Sequence, residues 1–310
     1  MIWGMSAKTL RVTDRGLDID GHVNDMKVER FTGNPIIHPG MGGGVGDNIN
    51  GPSLIRVPDW VSDPLGRYYL YFAHHRGSFI RLAYADYLEG PWRIHEPGVL
   101  SVADSYCLDH VASPDVHPDA DQRMVRMYYH GVSEAGPQVS RVALSPDGVT
   151  FRARDEVLGN SYFRVFRWDS WHYALGMPGV FYRSRDGLSG FEVGPTLFTP
   201  DMRHSAVWVQ RDMLHVFYSD VGDSPERILH ATIDLTADWT DWEVSPPATV
   251  LEPELEYEGA DLPLEPSVRG LATRRVRQLR DPAIFEEDGD LYLLYSVAGE
   301  SGIAVARLGL

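Results

Sequence analysis

Apolar and polar positions along the chain recur as a phrase and not as one continuous period. Each phrase opens with a short apolar stretch and a turn. A run rich in Tyr and aliphatic residues follows, then a loop, then a third stretch of small and apolar residues. The first phrase reads GPSLIRV (51–57), RYYLYFAHH (67–75) and FIRLAYA (79–85), and the second SPDVHP (113–118), MVRMYYHGV (124–132) and VSRVALS (139–145). The third is SYFRVFR (161–167), WHYALGM (171–177) and VFYRSR (180–185). The fourth is HSAVWVQ (204–210), MLHVFYSDV (213–221) and ILHATID (228–234), and the fifth DPAIFEE (281–287), LYLLYSVAG (291–299) and GIAVARL (302–308). Short runs enriched in β-branched and aromatic residues read as strands. Asp147-Gly148, Asp186-Gly187 and Asp288-Gly289 supply the positive φ that tight hairpins require.

Unit starts lie roughly 45–60 residues apart, with a longer step before the fifth, which is the size of a four-stranded propeller blade. No long amphipathic helix is evident. The pattern predicts one all-β domain over 1–310, a five-bladed β-propeller. The segment before residue 50 is expected to add a strand to the fifth unit and close the ring, since closure removes an exposed sheet edge. The stretch 245–279, rich in Pro and Glu and then basic (RRVRQLR, 274–280), reads as a long surface loop before the last blade.

Composition narrows the function. Of 310 residues, 43% are hydrophobic and 23% charged, as in a soluble globular protein. The 8 Trp and 15 Tyr suit sugar stacking, although most are expected in the core. A formal net charge of −16 without a basic stripe argues against nucleic acid as a partner. The lone Cys107 excludes an internal disulfide and a Cys-based metal site. The N-terminus MIWGMSAKTLRV lacks the apolar core of a secretory signal, and no apolar run approaches a membrane-spanning length. A cytoplasmic protein with no membrane contact is the expectation; the oligomeric state is left open.

Four phrases resemble the five-bladed propeller glycoside hydrolases, the group of arabinofuranosidases, β-xylosidases and anhydro-galactosidases. They are YADYLEGPWR (84–93), SPDGVTF (145–151), SRDGLSGFE (184–192) and RDPAIFEEDGDLYLLYS (280–296). The resemblance implies a glycosidase, exo-acting and inverting on a terminal furanose or modified galactose-type sugar, with an oligosaccharide or glycoside as partner. It implies no cofactor beyond a single structural metal ion that some relatives hold in the central channel. No HExxH-type ligand spacing, P-loop, GxSxG elbow or post-strand GxGxxG occurs. A non-catalytic sugar-binding propeller, or a glycoside phosphorylase or lyase on the same scaffold, remains an alternative, because fold does not fix function.

In a propeller, ligands meet the face where the innermost strands begin and the second strands end. That geometry gathers Asp47, Asn48, Asn50, His110, Asp115, Asn160, Tyr162, Arg203, His204, Arg280 and Asp281 from the blade openings. From the loops after the second strands come His74, His75, Arg76, His130, Glu134, Asp220 and Glu300. Glycoside cleavage needs a proton donor and a group that activates the attacking molecule, held at different pKa values. The resemblance implies an Asp base in blade one, matched by Asp47 after GMGGGVG, and a tuning Asp in blade two, matched by Asp115. It also implies a Glu acid in blade three, but GNSYFRV holds none. His204, Glu300 and Glu134 are the alternative acids, and Asp281 stands where the group carries a DP carboxylate. His74 and His75 are adjacent on a strand and point to opposite faces. Arg76 and Arg280 are candidates to grip a substrate carboxylate.

Overall fold

The computed structural model describes residues 26–309; the N-terminal stretch discussed above lies outside them. The described chain forms five antiparallel sheets arranged as a five-bladed β-propeller. Blade one holds β2 (Asn50–Arg56), β3 (Tyr68–Ala73), β4 (Phe79–Ala85) and β5 (Arg93–Ser101) in that order. Blade two holds β6 (Ala112–Asp119), β7 (Met124–Val132) and β8 (Gln138–Ser145), and two short pieces, β9 (Arg152–Ala153) and β10 (Gly159–Asn160), both pair with β8. Blade three runs β11 (Arg164–Trp168), β12 (Trp171–Gly176), β13 (Val180–Ser184), β14 (Glu192–Thr196). Blade four runs β15 (Met202–Gln210), β16 (Met213–Asp220), β17 (Ile228–Asp234), β18 (Ala248–Leu251).

Blade five is built from both ends of the described chain. Its inner strands are β19 (Arg280–Glu287), β20 (Asp290–Ser296) and β21 (Ile303–Gly309), and its outer strand is β1 (Lys27–Arg30), antiparallel to β21. Arg30 fastens this closure. It pairs at 2.7 Å with Glu258, a fully buried carboxylate that also accepts from Tyr295 Oη and from the amides of Glu254 and Leu255.

The second strand of each blade shows why the phrase repeats. In β3 every residue is buried, because both faces of a middle strand meet a neighbouring blade. Tyr68, Leu70 and Phe72 enter the apolar layer shared with blade five, and Tyr69, Tyr71 and Ala73 enter the layer shared with blade two. Five such layers, one between each pair of adjacent blades, make up the core. Tyrosine hydroxyls tie the layers at their rims. Tyr71 donates to the carbonyl of Gly148 in blade two, and Tyr128 to that of Gly187 in blade three.

The stretch 245–279 is not the surface loop expected from its composition. Its first part supplies β18, the outer strand of blade four. Its middle carries Glu258, and Ser267, Val276, Gln278 and Leu279 are buried. Its residues 268–272 lie against the inner-strand arginines and Glu300: Val268 and Gly270 offer carbonyls to Arg203 and Arg280, and the Ala272 amide donates to Glu300. The polar composition misleads because many of its polar groups are hydrogen-bonded to the body.

His215 and His230, on β16 and β17, face each other with ring nitrogens 3.0 Å apart and are buried. Burial pushes both down to about 4. A histidine whose pKa is lowered by folding stabilises the native state above its unfolded value and loses that contribution as pH falls toward the folded value. The urea midpoint is therefore expected to fall as pH drops from about 6.5 to about 4. This pair should contribute on the order of 2–3 kcal/mol to the change, after allowance for solvent screening. A His215→Phe/His230→Leu variant should show a flatter profile in urea titrations across that range.

Candidate active site

Each blade's innermost strand begins with the same irregularity. A residue in the left-handed region stands there in every blade: Gly51 (φ 59°), Ser113 (φ 49°), Tyr162 (φ 66°), His204 (φ 50°) and Asp281 (φ 49°). In blades one, two, four and five it coincides with a break in the strand register, between Asn50 and Ser53, Ala112 and Asp115, Arg203 and Ala206, and Arg280 and Ala283. This is the behaviour of a β-bulge, which re-aims a side chain at the rim of a barrel or propeller. Blade one needs glycine, because a Cβ there would stand 2.9 Å from the Cα of Ser113. The other four hold side chains in a conformation that costs of order 1–3 kcal/mol outside glycine. Such outliers cluster at functional sites.

Three of these residues form a contact chain. The Tyr162 hydroxyl donates to Asp281 Oδ1 at 2.9 Å, the Tyr162 and His204 rings lie 5.4 Å apart, and His204 Nδ1 stands 3.8 Å from the same carboxylate oxygen. The guanidinium of buried Arg164 lies 4.1 Å from the centre of the Tyr162 ring and donates to the carbonyls of Ser205 and Ser113. Around them lies a cavity of about 210 Å³ lined by Asn50, His75, His110, Ser113, His130, Gln138, Tyr162, Met177, Arg203, His204, Arg269 and Asp281, among others.

Electrostatics separate these groups. Burial and the charge of nearby Glu300 raise Asp281 to about 6, against the opposing pull of the Tyr162 hydroxyl and Arg280. His204 moves the other way. Burial, Arg203 and Arg280 press its pKa well below the ordinary histidine value, so its ring is neutral near pH 7. His130 is likewise held neutral by burial and by His110 and His75. The Nδ1 atoms of His130 and His204 have no hydrogen-bond partner in the protein.

Behind the cavity runs a buried ionic chain. Arg203 and Arg280 share the fully buried Glu226, with Nε donating at 2.8 and 3.1 Å respectively. Arg280 continues to Glu300 at 2.9 Å. Glu300 in turn accepts from Asn48 Nδ2 at 2.6 Å and Asn50 Nδ2 at 3.1 Å, and lies 3.3 Å from His75 Nδ1. Burial alone would raise Glu300, but these partners hold it down to about 2, so it remains an anion.

The structure thus brings Asn50, His75, His110, His130, Tyr162, Arg203, His204 and Asp281 together, and separates the rest. Asp47 is exposed and borders a neighbouring cavity of about 620 Å³, together with His74, His38 and Tyr257. His75 and His74 therefore face different cavities. Arg76 lies in an exposed turn where its amide donates to His74. Arg280 is 1% exposed and gives four of its five N–H donors to Glu226, Glu300, Gln278 and Gly270, so it cannot grip a substrate carboxylate with two donors. Asp115 bonds His117 at 2.8 Å and accepts the Val165 amide at 2.8 Å, joining blade two to blade three away from the cavity. Glu134 is exposed in a groove outside the channel rim. Asp220 ends β16 outside the cavity lining, raised to about 6 by burial and by Asp223, Asp201 and Glu226. Glu300 is a buried anion behind the wall and not a group at the cavity surface.

Arg269, Gln138, Ser113 and Glu226 were missed. Arg269 comes from the 245–279 stretch, and nothing local in that stretch indicates where it goes. The bulges did leave a trace: Gly51-Pro52, Ser113-Pro114 and Asp281-Pro282 each put Pro after the left-handed residue, and Pro within a sheet is confined to edges and bulges. Among the described residues no three or more His, Cys, Asp or Glu side chains are arranged to hold an ion.

Comparison with known proteins agrees with the fold. No family model matches the chain. It is 38% identical to the uncharacterized protein R118 of Acanthamoeba polyphaga mimivirus, over 92% of this chain and 91% of that one. Among solved structures, a glycosyl hydrolase from Bacteroides ovatus superposes with a TM-score of 0.68 at 13% identity, over 92% of this chain and 94% of that one. A structure reported for the GH130 family of mannoside phosphorylases, with glycoside hydrolases that target β-1,2 mannosidic linkages in Candida mannan, gives 0.67 at 12% over the same shares. A family-43 β-xylosidase/α-arabinofuranosidase from a compost metagenome gives 0.57 at 15%, over 86% and 92%.

Proposed function

The chain belongs to the family of the mimivirus protein, and we propose that it cleaves a glycosidic bond at the mouth of its propeller channel, with Asp281 as proton donor. The observation that carries this reading is Asp281 itself, a buried carboxyl raised to about 6 on a strained bulge and aimed at a small polar cavity. A general acid is most effective with a pKa near the working pH. Tyr162 fixes the carboxyl through its hydroxyl, and the neutral rings of His204 and His130 and the amide of Asn50 are suited to sugar hydroxyls. The fold-level likeness to glycoside hydrolases and phosphorylases supports the same class of reaction, as analogy.

The cavity is smaller than the roughly 300–1,000 Å³ that hold drug-sized ligands, which favours one terminal sugar and exo action. No second carboxylate lines it beside Asp281. A retaining enzyme needs a nucleophilic carboxylate about 5–5.5 Å from the acid and an inverting one a base about 6.5–9.5 Å from it. With no second carboxylate, inversion is the better fit, the attacking water's proton passing to the neutral ring of His130, whose Nδ1 has no partner.

That same lack favours a second reading. Arg203 is already paired with Glu226, but Arg269 and four histidines share the cavity with one carboxylate, and Arg269 is a cation for an anionic co-substrate. Inorganic phosphate in place of water would need no protein base. The discriminating experiment incubates the protein with a panel of β-mannosides, xylosides and arabinofuranosides, with and without about 10 mM phosphate, which exceeds the roughly 1 mM upper end of usual enzyme substrate constants. Hydrolysis gives free sugar at a rate indifferent to phosphate. Phosphorolysis gives a sugar 1-phosphate at a rate that rises with phosphate. No product in either condition would refute both.

A further inference from the structure

A second feature of the mouth face is unused by this chemistry. Between blades one and two lies an open groove of about 1,100 Å³, the largest cavity by volume among those described. Its distinctive residues are Tyr106, Leu108, Glu134, Arg141, Asp155 and Val157.

Tyr106, Leu108 and Val157 expose 53%, 59% and 49% of their surface, which is unusual for a tyrosine and two large aliphatics gathered at one spot. Tyr106 is also held at φ 57°, the left-handed region that a bulky residue seldom occupies. Nothing in the core requires this ring. The adjacent turn instead buries Ser105 and Cys107 and leaves Tyr106 outward.

The floor is polar. Arg141 is 5% exposed, its guanidinium lies 5.9 Å from the Tyr106 ring centre, and one of its terminal nitrogens donates to the carbonyl and carboxylate of Asp155. Its Nε is buried and has no partner in the protein. Glu134 and Asp155 supply acceptors on the rim. An exposed aromatic face with carboxylates and a guanidinium beside it is the chemistry that recognises a sugar ring: C–H faces stack on the ring and hydroxyls bond the charged groups.

The groove adjoins the channel. The loop after β7 carries Glu134 and Ala135 on its groove side, and ends at Gln138, which lines the channel cavity. The geometry points to a carbohydrate-binding site in this groove, in which Tyr106 and Arg141 hold the body of a glycan chain whose terminal residue enters the channel. This inference rests on the proposed glycosidase reading for its choice of ligand, but its site and its test are separate.

Affinity electrophoresis in gels containing soluble arabinoxylan or yeast mannan tests it. The native protein and Arg227→Ala should be retarded alike, because Arg227 lies on blade four outside both the groove and the channel cavity. Tyr106→Ala should lose at least about fivefold in affinity, the scale of one lost stacking contact. Tyr106→Phe should keep it. Tyr106→Gly, which suits the left-handed backbone and removes only the ring, should behave as the Ala variant and guards against a folding artefact. Native-like retardation of the Ala and Gly variants, or no retardation of the native protein in either gel, would overturn the groove. Tyr106-dependent retardation without turnover of any glycoside would keep the groove and sink the glycosidase reading.

Discussion

Asp281→Asn is expected to lower turnover of an unactivated glycoside by roughly 10²–10⁴-fold, the usual contribution of a general acid. The substitution is nearly isosteric, and Asn tolerates the left-handed φ of 49° that this position imposes. The Tyr162 hydroxyl keeps an acceptor in the amide oxygen. Folding should therefore survive, and circular dichroism and the urea midpoint should stay close to native. The pH profile of the native enzyme carries the same signature. Asp281 must be protonated to donate, and burial raises it to about 6, so kcat/KM should fall as pH rises through that value. His204→Gln is the contrasting case. Its ring is already neutral near pH 7, so the variant should lose binding without moving that limb. A limb that shifts in His204→Gln but not in Tyr162→Phe would reassign the acid.

Glu226→Ala is expected to be the most destabilising single substitution in the molecule outside the apolar layers. It strips the shared anion from Arg203 and Arg280, both nearly inaccessible, and leaves two buried guanidinium charges short of a partner. Breaking a buried pair from one side costs about 3–5 kcal/mol. The urea midpoint should drop accordingly with little change in slope. Arg227→Ala provides the control. Its partners Asp223 and Glu252 are partly exposed, and such pairs contribute at most about 1 kcal/mol. An equal effect of the two substitutions would show that the ionic chain behind the cavity is ordinary surface electrostatics.

The sequence revealed the blades unevenly, and the reason is burial. The second strands, such as YYLYFA in β3 and LYLLY in β20, lie between two apolar layers and read as unbroken hydrophobic runs. The first and third strands of each blade are nearly as plain. The fourth strands of blades one to four were invisible, whereas the closing strand of blade five was expected from the segment before residue 50. β14, EVGPT, is half exposed and contains Gly and Pro, and β9 and β10 have two residues each. An outer strand has solvent on one side and needs little hydrophobic pattern to pair.

The site was legible by topology and obscure in detail. Knowing which strand ends face the channel was enough to nominate Asn50, His75, His110, His130, Tyr162, His204 and Asp281, all of which line one cavity. Topology cannot say how deep a side chain sits. Asp281 and Glu300 are both acidic and near one another, yet one is raised to about 6 and the other held at about 2. The difference lies in long-range partners: Arg280, Asn48, Asn50 and His75 converge on Glu300, whereas Asp281 accepts from the Tyr162 hydroxyl. No spacing rule encodes that. The bulge is the middle case, since its Pro mark was present in three of five blades but acquires meaning only once the strand register is known.

The central claim is that Asp281 protonates the departing oxygen of a glycoside, and leaving-group dependence tests it most directly. A dinitrophenyl glycoside expels a phenolate that needs no proton, whereas the corresponding methyl glycoside or disaccharide needs one. The account predicts that Asp281→Asn retains nearly native kcat/KM on the first and loses roughly 10²–10⁴-fold on the second. Equal losses on both substrates, or none on either, would contradict it.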